Sequence, residues 1–287
     1  MPKDPAPGHT CAMEPRTLTS LQNPVAQRFR KVIEAGRGRR EGVFVLEGRH
    51  LLEEALRTGW PVEVLVVDRD LWPRISREVA SRINPASVYM APRELLIRLG
   101  TTPSPEGILA LCPRRASAPG APRPGGLYLY LDRVQDPANV GMLVRSARAF
   151  GLAGVFFGRG TADPFGPTAL SRSAGAALHM GPVAVAEEEF LTWARLHSVA
   201  VLASDASGRP PAPVRPDAPP RALVVGNEGR GLSPALRDAA AAVVGIPMAP
   251  GWDSLNVAAA GSILMYLLAN PAAPSPGGWP SATAPSL

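Results

Sequence analysis

From residue 127 to residue 270 the chain repeats one pattern, and that pattern constrains its fold more than any other feature. A short unbroken apolar run is followed by a loop and then by a stretch with helical spacing. The apolar runs are Leu127–Leu131, Gly154–Phe157, Pro182–Val185, Ala200–Ala203, Ala222–Val225 and Ala242–Ile246. Between them, helices are expected over Asn139–Phe150, closed by Gly151, and over Pro167–Ala177, Glu187–His197, Ser233–Ala240 and Leu255–Leu268. Strands that are apolar on both faces and joined by helices imply a parallel sheet covered on both sides. A polar, proline-rich loop is expected over Ser204–Pro220.

The first hundred residues alternate on a smaller scale. Helices are expected over Val25–Ala35, His50–Thr58, Leu71–Ile83 and Arg93–Leu99, with strands at Val43–Leu46, Val62–Val67, Ser87–Met90 and Ile108–Leu111. That is one modest α/β core. The expected organisation is a flexible leader over 1–21, this small domain over 22–112, a Pro/Gly/Ala/Arg linker over 113–126, the larger domain over 127–270, and a flexible tail over 271–287.

The length of 287 residues suits two such domains. The longest apolar stretch near the C-terminus, Val257–Ala269, falls short of the roughly 18 residues of a membrane span. The opening MPKDPAPGHT lacks a charged-then-apolar signal pattern. Cys11 and Cys112 can build neither a disulfide framework nor a four-ligand zinc site. A cytoplasmic protein is expected, with no metal and no membrane partner.

Thirty Lys and Arg face 24 Asp and Glu, for a net charge of +6, and only Lys3 and Lys31 among the cations are lysines. Arg28, Arg30, Lys31, Arg37, Arg39, Arg40 and Arg49 cluster against Glu34, Glu41 and Glu47. Such a cluster has two readings, a polyanion footprint or a solvated helix face.

Three loops fall at the C-terminal ends of expected strands, where open parallel sheets bind ligands. The first, LDRVQDPANVGMLVRSARAFG, places Asn139 at an expected helix N-cap and Arg145 six residues further on. A capped helix with surface arginines is the alternative. The second, LVVGNEGRGL, sets Glu228 among Gly226, Gly229 and Gly231, so that backbone can approach a ligand closely. It matches neither a phosphate loop nor the dinucleotide fingerprint. The third, IPMAPGWDSLNV, carries Ser254 and Asn256 into a small-residue helix.

Together these loops resemble the three signature motifs of the SpoU/TrmH family, within the SPOUT class of RNA methyltransferases. The matching residues are Asp136-Pro137-Ala138-Asn139-Val140-Gly141 through Arg145, Gly226-Asn227-Glu228-Gly229-Arg230-Gly231, and Ile246-Pro247-Met248 with Ser254-Leu255-Asn256-Val257. Ser173-Ala174-Gly175-Ala176 is also similar to the family. Residues Arg39 to Gly48 (RREGVFVLEG) resemble the ribosomal-protein-like substrate-binding domain that many SpoU enzymes carry.

The resemblance implies an α/β fold: a parallel-sheet SPOUT domain with a C-terminal trefoil knot, preceded by a smaller α/β RNA-binding domain. It implies methyl transfer from S-adenosylmethionine to a ribose 2′-hydroxyl of RNA, by a homodimer. Ribosomal RNA of the 23S type is favoured over transfer RNA because of the extra N-terminal domain. The implied cofactor contacts are Gly226, Ile246, Met248 and Leu255. The implied catalytic set is Arg145, with Asn139, Glu228, Ser254 and Asn256 orienting it and the ribose. The expected RNA contacts are Arg37, Arg39, Arg40 and Arg49. Arginine as a literal base would have to shed a proton at a cost of about five pK units, roughly 7 kcal/mol. Electrostatic stabilisation of the developing alkoxide is the easier role for Arg145. A catalytically silent RNA-binding protein of the same fold is the alternative from another class.

Overall fold

The apolar run Leu127–Leu131 (β6) is buried along its whole length and takes a central place in a six-stranded, all-parallel sheet. The computed structural model describes residues 15–34, 42–75, 82–101, 106–115, 118–212, 218–251 and 254–270. Two compact units divide the chain between Arg114 and Arg115.

The first unit holds a mixed five-stranded sheet in the order β1-β4-β3-β5-β2. Its strands are β1 (Arg16–Thr17), β2 (Val43–Glu47), β3 (Val64–Asp68), β4 (Val88–Ala91) and β5 (Ile108–Pro113). Helices α1 (Pro24–Glu34), α2 (Arg49–Arg57) and α3 (Arg93–Leu99) belong to the same unit. Phe29, Val45, Val66, Leu96 and Leu111 meet in its core. The leader expected through residue 21 must be shortened. Arg16 and Thr17 pair with Tyr89 and Met90, and Leu18 is fully buried, because its side chain completes that core. The helix expected over Leu71–Ile83 runs partly outside the described residues, as do the leader's first fourteen residues and the tail.

The second unit places its strands in the order β11-β9-β10-β6-β7-β8. They are β6, β7 (Gly154–Phe157), β8 (Val183–Ala184), β9 (Ala200–Arg209), β10 (Arg221–Val225) and β11 (Ala242–Val244). The helices are α4 (Pro137–Ala149), α5 (Pro167–Ser173), α6 (Ala176–Met180), α7 (Glu187–Leu196), α8 (Pro234–Asp238) and α9 (Val257–Ala269). Tyr128, Phe156, Phe190 and Trp193 stack on one face of the sheet with Val201 and Val224. On the other face α9 lies so close to α4 that a Cβ on Gly261 would fall 2.4 Å from Leu143.

Three expectations change here. The single helix expected over Pro167–Ala177 is broken, because Ala174 (φ 48°) and Gly175 (φ 78°) are left-handed and end α5 before α6 begins. The loop expected from Ser204 begins later. β9 continues to Arg209 with a bulge that lets β11 pair Val243 with Ala203 and then Val244 with Arg209. Residues 118–126, expected as a linker, are pinned to the second unit. The Trp193 indole donates to the Gly120 carbonyl (2.8 Å), and the Arg123 N–H donates to the Tyr128 hydroxyl (3.0 Å).

The order of strands creates the site. After β6 the chain moves through α4 to β7 on one side, whereas after β10 it moves through α8 to β11 on the other. Loops that diverge from adjacent parallel strands leave a crevice at their C-terminal ends. β6 and β10 are in register from Leu127 opposite Arg221 to Leu131 opposite Val225, so both loops leave at the same height.

Candidate active site

The loop after β6 begins with Asp132, 4% exposed, whose carboxylate accepts from the Ser233 N–H (2.9 Å) and from the Arg133 guanidinium (2.9 Å twice). It thereby ties the first loop to the start of α8 in the second. Asn227 adds a second tie. Its side-chain amide donates to the Arg133 carbonyl (2.9 Å), while its Oδ1 accepts from the N–H groups of Gly229 and Arg230. Asn227 and Gly231 also pair through their backbones. Gly226 is required by this closure, because a Cβ there would stand 2.5 Å from the Gly231 carbonyl carbon.

The N-cap of α4 is Asp136, not Asn139. The Asp136 carboxylate accepts from the Ala138 N–H (2.8 Å), and Pro137 occupies the first helical turn, where a missing N–H costs nothing. Asn139 therefore lies inside the helix, 4% exposed, with its amide free for tertiary bonds. It donates to Glu228 Oε1 (3.1 Å), and its Oδ1 accepts from Asn256 Nδ2 (3.2 Å). Asn256 Oδ1 in turn accepts from the Ala258 and Ala259 N–H groups and caps α9. One chain of polar groups, Glu228–Asn139–Asn256, thus joins all three loops. Asn139, its buried member, has both ends of its amide matched, which is the condition for burying such a group at low cost.

Burial by itself would raise the Glu228 carboxyl. Its own backbone N–H, the Asn139 amide and the N–H groups of Gln135 and Asp136 outweigh that and hold it below the ordinary glutamate value. It is an anion at neutral pH.

A cleft opens beside this chain. Gly226, Glu228, Ile246, Met248, Ser254 and Leu255 line it, together with Ser204 and Asp205 of the β9 bulge and with Val257, Ala260 and Leu264. Asp205 is held below the ordinary aspartate value, first by the Ser207 N–H and then by the Ser207 hydroxyl, with Arg237 adding to the effect. These residues fit S-adenosylmethionine: apolar walls for a flat base, close-approaching backbone at Gly226 and Gly245, and two carboxylates for a molecule with cationic groups.

The expected residues thus separate. Asn139, Glu228 and Asn256 are joined directly, and Gly226, Ile246, Met248, Ser254 and Leu255 share one cleft with Glu228. Arg145 stands apart. It is exposed on a different face of α4 from Asn139 and from Ser146, which bonds Ser262 of α9 (2.7 Å). Among the described residues Arg145 makes no hydrogen bond or ion pair. Arg37, Arg39 and Arg40 lie outside the described residues. Arg49 is engaged with Glu53 one turn along α2 (2.5 Å). Asp132, Asn227 and Asp205 were missed by sequence reasoning. Asn227 lay within the motif, and an Asx turn over a Gly-Arg-Gly stretch was a readable signal for it. Asp132 and Asp205 also bond near neighbours, Arg133 and Ser207, but the ties that place them at the site run to Ser233 and Arg237, far away in the chain. Among the described residues no group of His, Cys, Asp or Glu could hold a metal, and no helix is long and apolar enough to cross a membrane.

Comparison with known proteins agrees with this geometry. Residues 126–266 match the SpoU rRNA methylase family, and residues 23–110 match an MRM3-like substrate-binding domain. The 23S rRNA (guanosine(2553)-2′-O)-methyltransferase RlmP of Bacillus subtilis is 30% identical over 254 residues, covering 88% of this chain and 99% of its own. The 23S rRNA (uridine(2479)-2′-O)-methyltransferase of Streptomyces viridochromogenes is 31% identical, covering 79% and 82%. Among solved structures, an AdoMet-bound rRNA methyltransferase from Sinorhizobium meliloti superimposes with a TM-score of 0.78 at 28% identity, covering 88% of this chain and 96% of its own.

Proposed function

This chain belongs to the SpoU rRNA methylase family, and from that premise we propose how it acts: it is an S-adenosylmethionine-dependent RNA 2′-O-methyltransferase whose substrate is 23S-type ribosomal RNA. The observation that carries this reading is the Glu228–Asn139–Asn256 chain, which closes three loops around a cleft at the switch point of a parallel sheet. S-adenosylmethionine, when bound, supplies an activated methyl group on a sulfonium.

The residues of the chain supply the rest. Gly226, Ile246, Met248 and Leu255 hold the cofactor with backbone and apolar contact, and the Glu228 and Asp205 carboxylates complement its positive charges electrostatically. Asn139, buried and bonded at both ends, positions the loops and does not touch the ribose. Ser254, exposed at the rim of the cleft, is the polar group left to meet it. Arg145 acts on the alkoxide that develops as the 2′-oxygen attacks, while a phosphate or water takes the proton.

Arg145 serves the site of a second copy. Met142, Leu255, Ile263 and Tyr266 are each more than a third exposed on or beside α4 and α9. An apolar face of that kind suits a two-fold homodimer, and Arg145 borders it on α4. The C-terminal segment of the second unit is read as the family's trefoil knot. In support, the chain leaves β11 at one sheet edge and returns past the C-terminal ends of β9 and β10 to pack α9 on α4. The first unit carries RNA affinity through its basic cluster, and the protein acts in the cytoplasm, where its substrate is made.

The deciding experiment is transfer of labelled methyl to unmodified ribosomal RNA, followed by mapping of 2′-O-methyl positions in cells with and without the gene. Labelling of transfer RNA alone would move the substrate. Absence of both transfer and calorimetric S-adenosylmethionine binding would leave a silent RNA-binding protein.

A further inference from the structure

The arginines of the second unit divide into two groups. Arg123, Arg195, Arg221 and Arg237 spend their side-chain donors on the Gly151 carbonyl, the Thr192 hydroxyl, the Ala212 carbonyl and the Asp205 carboxylate. Arg159 and Arg230, like Arg145, Arg148 and Arg172 on the helices, are exposed and, among the described residues, have no side-chain partner. Both leave the C-terminal edge of the sheet, Arg159 two residues after β7 and Arg230 five residues after β10.

Arg133 stands between them on the loop after β6, in contact with both neighbouring loops. A Cβ on Gly160 would fall 3.2 Å from Arg133 Cγ, and the Arg133 carbonyl accepts from Asn227, whose Oδ1 accepts from the Arg230 N–H. Arg133 also has φ 56°, a left-handed backbone that glycine adopts without strain and an L side chain rarely does. A side chain retained in such a conformation directs attention to what that side chain does. Its Nε and one Nη2 proton are aligned on Asp132, which leaves three N–H donors in a fixed plane directed elsewhere. Glu228, two residues from Arg230, does not quench the row, because its carboxylate turns to Asn139, Gln135 and Asp136.

We propose that Arg159, Arg133 and Arg230 form a row of phosphate donors across the C-terminal edge of β7, β6 and β10 that lays the RNA backbone over the mouth of the cleft. Neighbouring strands lie about 4.8 Å apart, so three adjacent loops present their donors within roughly 10 Å, a span that extended guanidinium arms widen. This is a positioning surface within the methyltransferase unit itself, separate from the basic cluster of the first unit, and it rests on the reading of the site as an RNA methyltransferase.

The test measures binding of an unmodified ribosomal RNA fragment as a function of salt, using the full chain. Each phosphate contact contributes about 0.7–0.9 to the log–log slope. The double variant Arg159→Ala/Arg230→Ala is expected to lower the slope by about 1.4–1.8. Its KM for RNA should rise several-fold more than its kcat falls, with S-adenosylmethionine affinity by calorimetry held. Arg133→Gly keeps the left-handed backbone, so it tests the side chain without straining the fold. Because it also takes the guanidinium from the buried Asp132 carboxylate, it is expected to unfold at a lower denaturant concentration, and under conditions where it is fully folded to bind RNA more weakly with a lower salt slope. Unchanged slopes in both variants, with wild-type methyl transfer intact, would overturn the row and leave the enzyme reading standing. Lowered slopes in the variants alongside wild-type protein that transfers no methyl would fail the enzyme reading and leave the row supported.

Discussion

Asn139 shows how one residue's role depends on its neighbour's. Because Asp136 takes the cap of α4, Asn139 is released to hold Glu228 and Asn256 at once. Arg145, on another face of the same helix, has no such tie, and the role proposed for it belongs to the transition state. Removing it should slow single-turnover transfer to ribosomal RNA by about 10²–10³, the scale of one lost oxyanion donor. S-adenosylmethionine affinity in Arg145→Ala should stay within a few-fold, and Arg145→Lys should rescue poorly because it replaces a planar fork with a point charge. A near wild-type rate would make Arg145 a helix-surface cation. Glu228 makes a pH prediction. Its carboxyl is lower in the folded protein than in the unfolded chain, so its contribution is complete above the ordinary glutamate value and is lost as pH falls through the lowered one. Denaturant stability measured from neutral to acid pH should therefore fall less steeply in Glu228→Gln than in wild type. Identical slopes would mean that the hydrogen bonds at Glu228 do not favour its ionised form.

At the scale of elements, the site depends on how closely α4 packs. Gly141 faces α5 where a Cβ would lie 2.5 Å from the Ala169 carbonyl oxygen and 2.7 Å from Arg172 Cβ, both unable to rotate away. Gly261 of α9 is crowded by the tip of Leu143, a side chain that can choose another rotamer, and meets Val225 at ordinary contact distance. Gly141→Ala should accordingly destabilise by about 1–3 kcal/mol, the usual range for overpacking. Gly261→Ala should cost less, as read from paired denaturant midpoints. The reverse order would mean that α9, rather than α5, limits the position of α4. A displaced α4 would also carry Asn139 away from Glu228, so S-adenosylmethionine binding should weaken in Gly141→Ala in step with stability.

For the whole molecule, the exposed Met142, Ile263 and Tyr266 predict association. Light scattering at micromolar concentration should give twice the chain mass, and Ile263→Glu should give monomers that have lost transfer because each site lacks the partner's arginine. A wild-type monomer with full activity would end the shared-site reading. The basic cluster of the first unit makes a separate prediction. Arg39→Ala/Arg40→Ala should reduce the salt dependence of RNA binding by about 0.7–0.9 per lost contact, with a smaller effect on turnover at saturating RNA. An unaltered salt dependence would make these arginines a solvated face.

Much of this protein was legible from residue order alone. Apolar runs such as Leu127–Leu131 and Ala222–Val225 announced a covered parallel sheet, because burial on both faces leaves little place for charged residues. Gly226, Glu228, Ile246 and Asn256 were marked because their loops resemble the family's motifs, since Gly and Asn by themselves are ordinary in turns and caps. Tertiary structure decided which of those residues meet. The Asn139–Glu228 bond spans 89 positions and the Asn256–Asn139 bond 117, and no periodicity encodes such partners. It also moved the cap from Asn139 to Asp136, split α5 from α6 at Ala174, extended β9 to Arg209, and set Asp205 on the cleft wall. Local sequence expresses backbone preference and burial, whereas pairings between distant polar groups exist only once the sheet order has brought β6 beside β10.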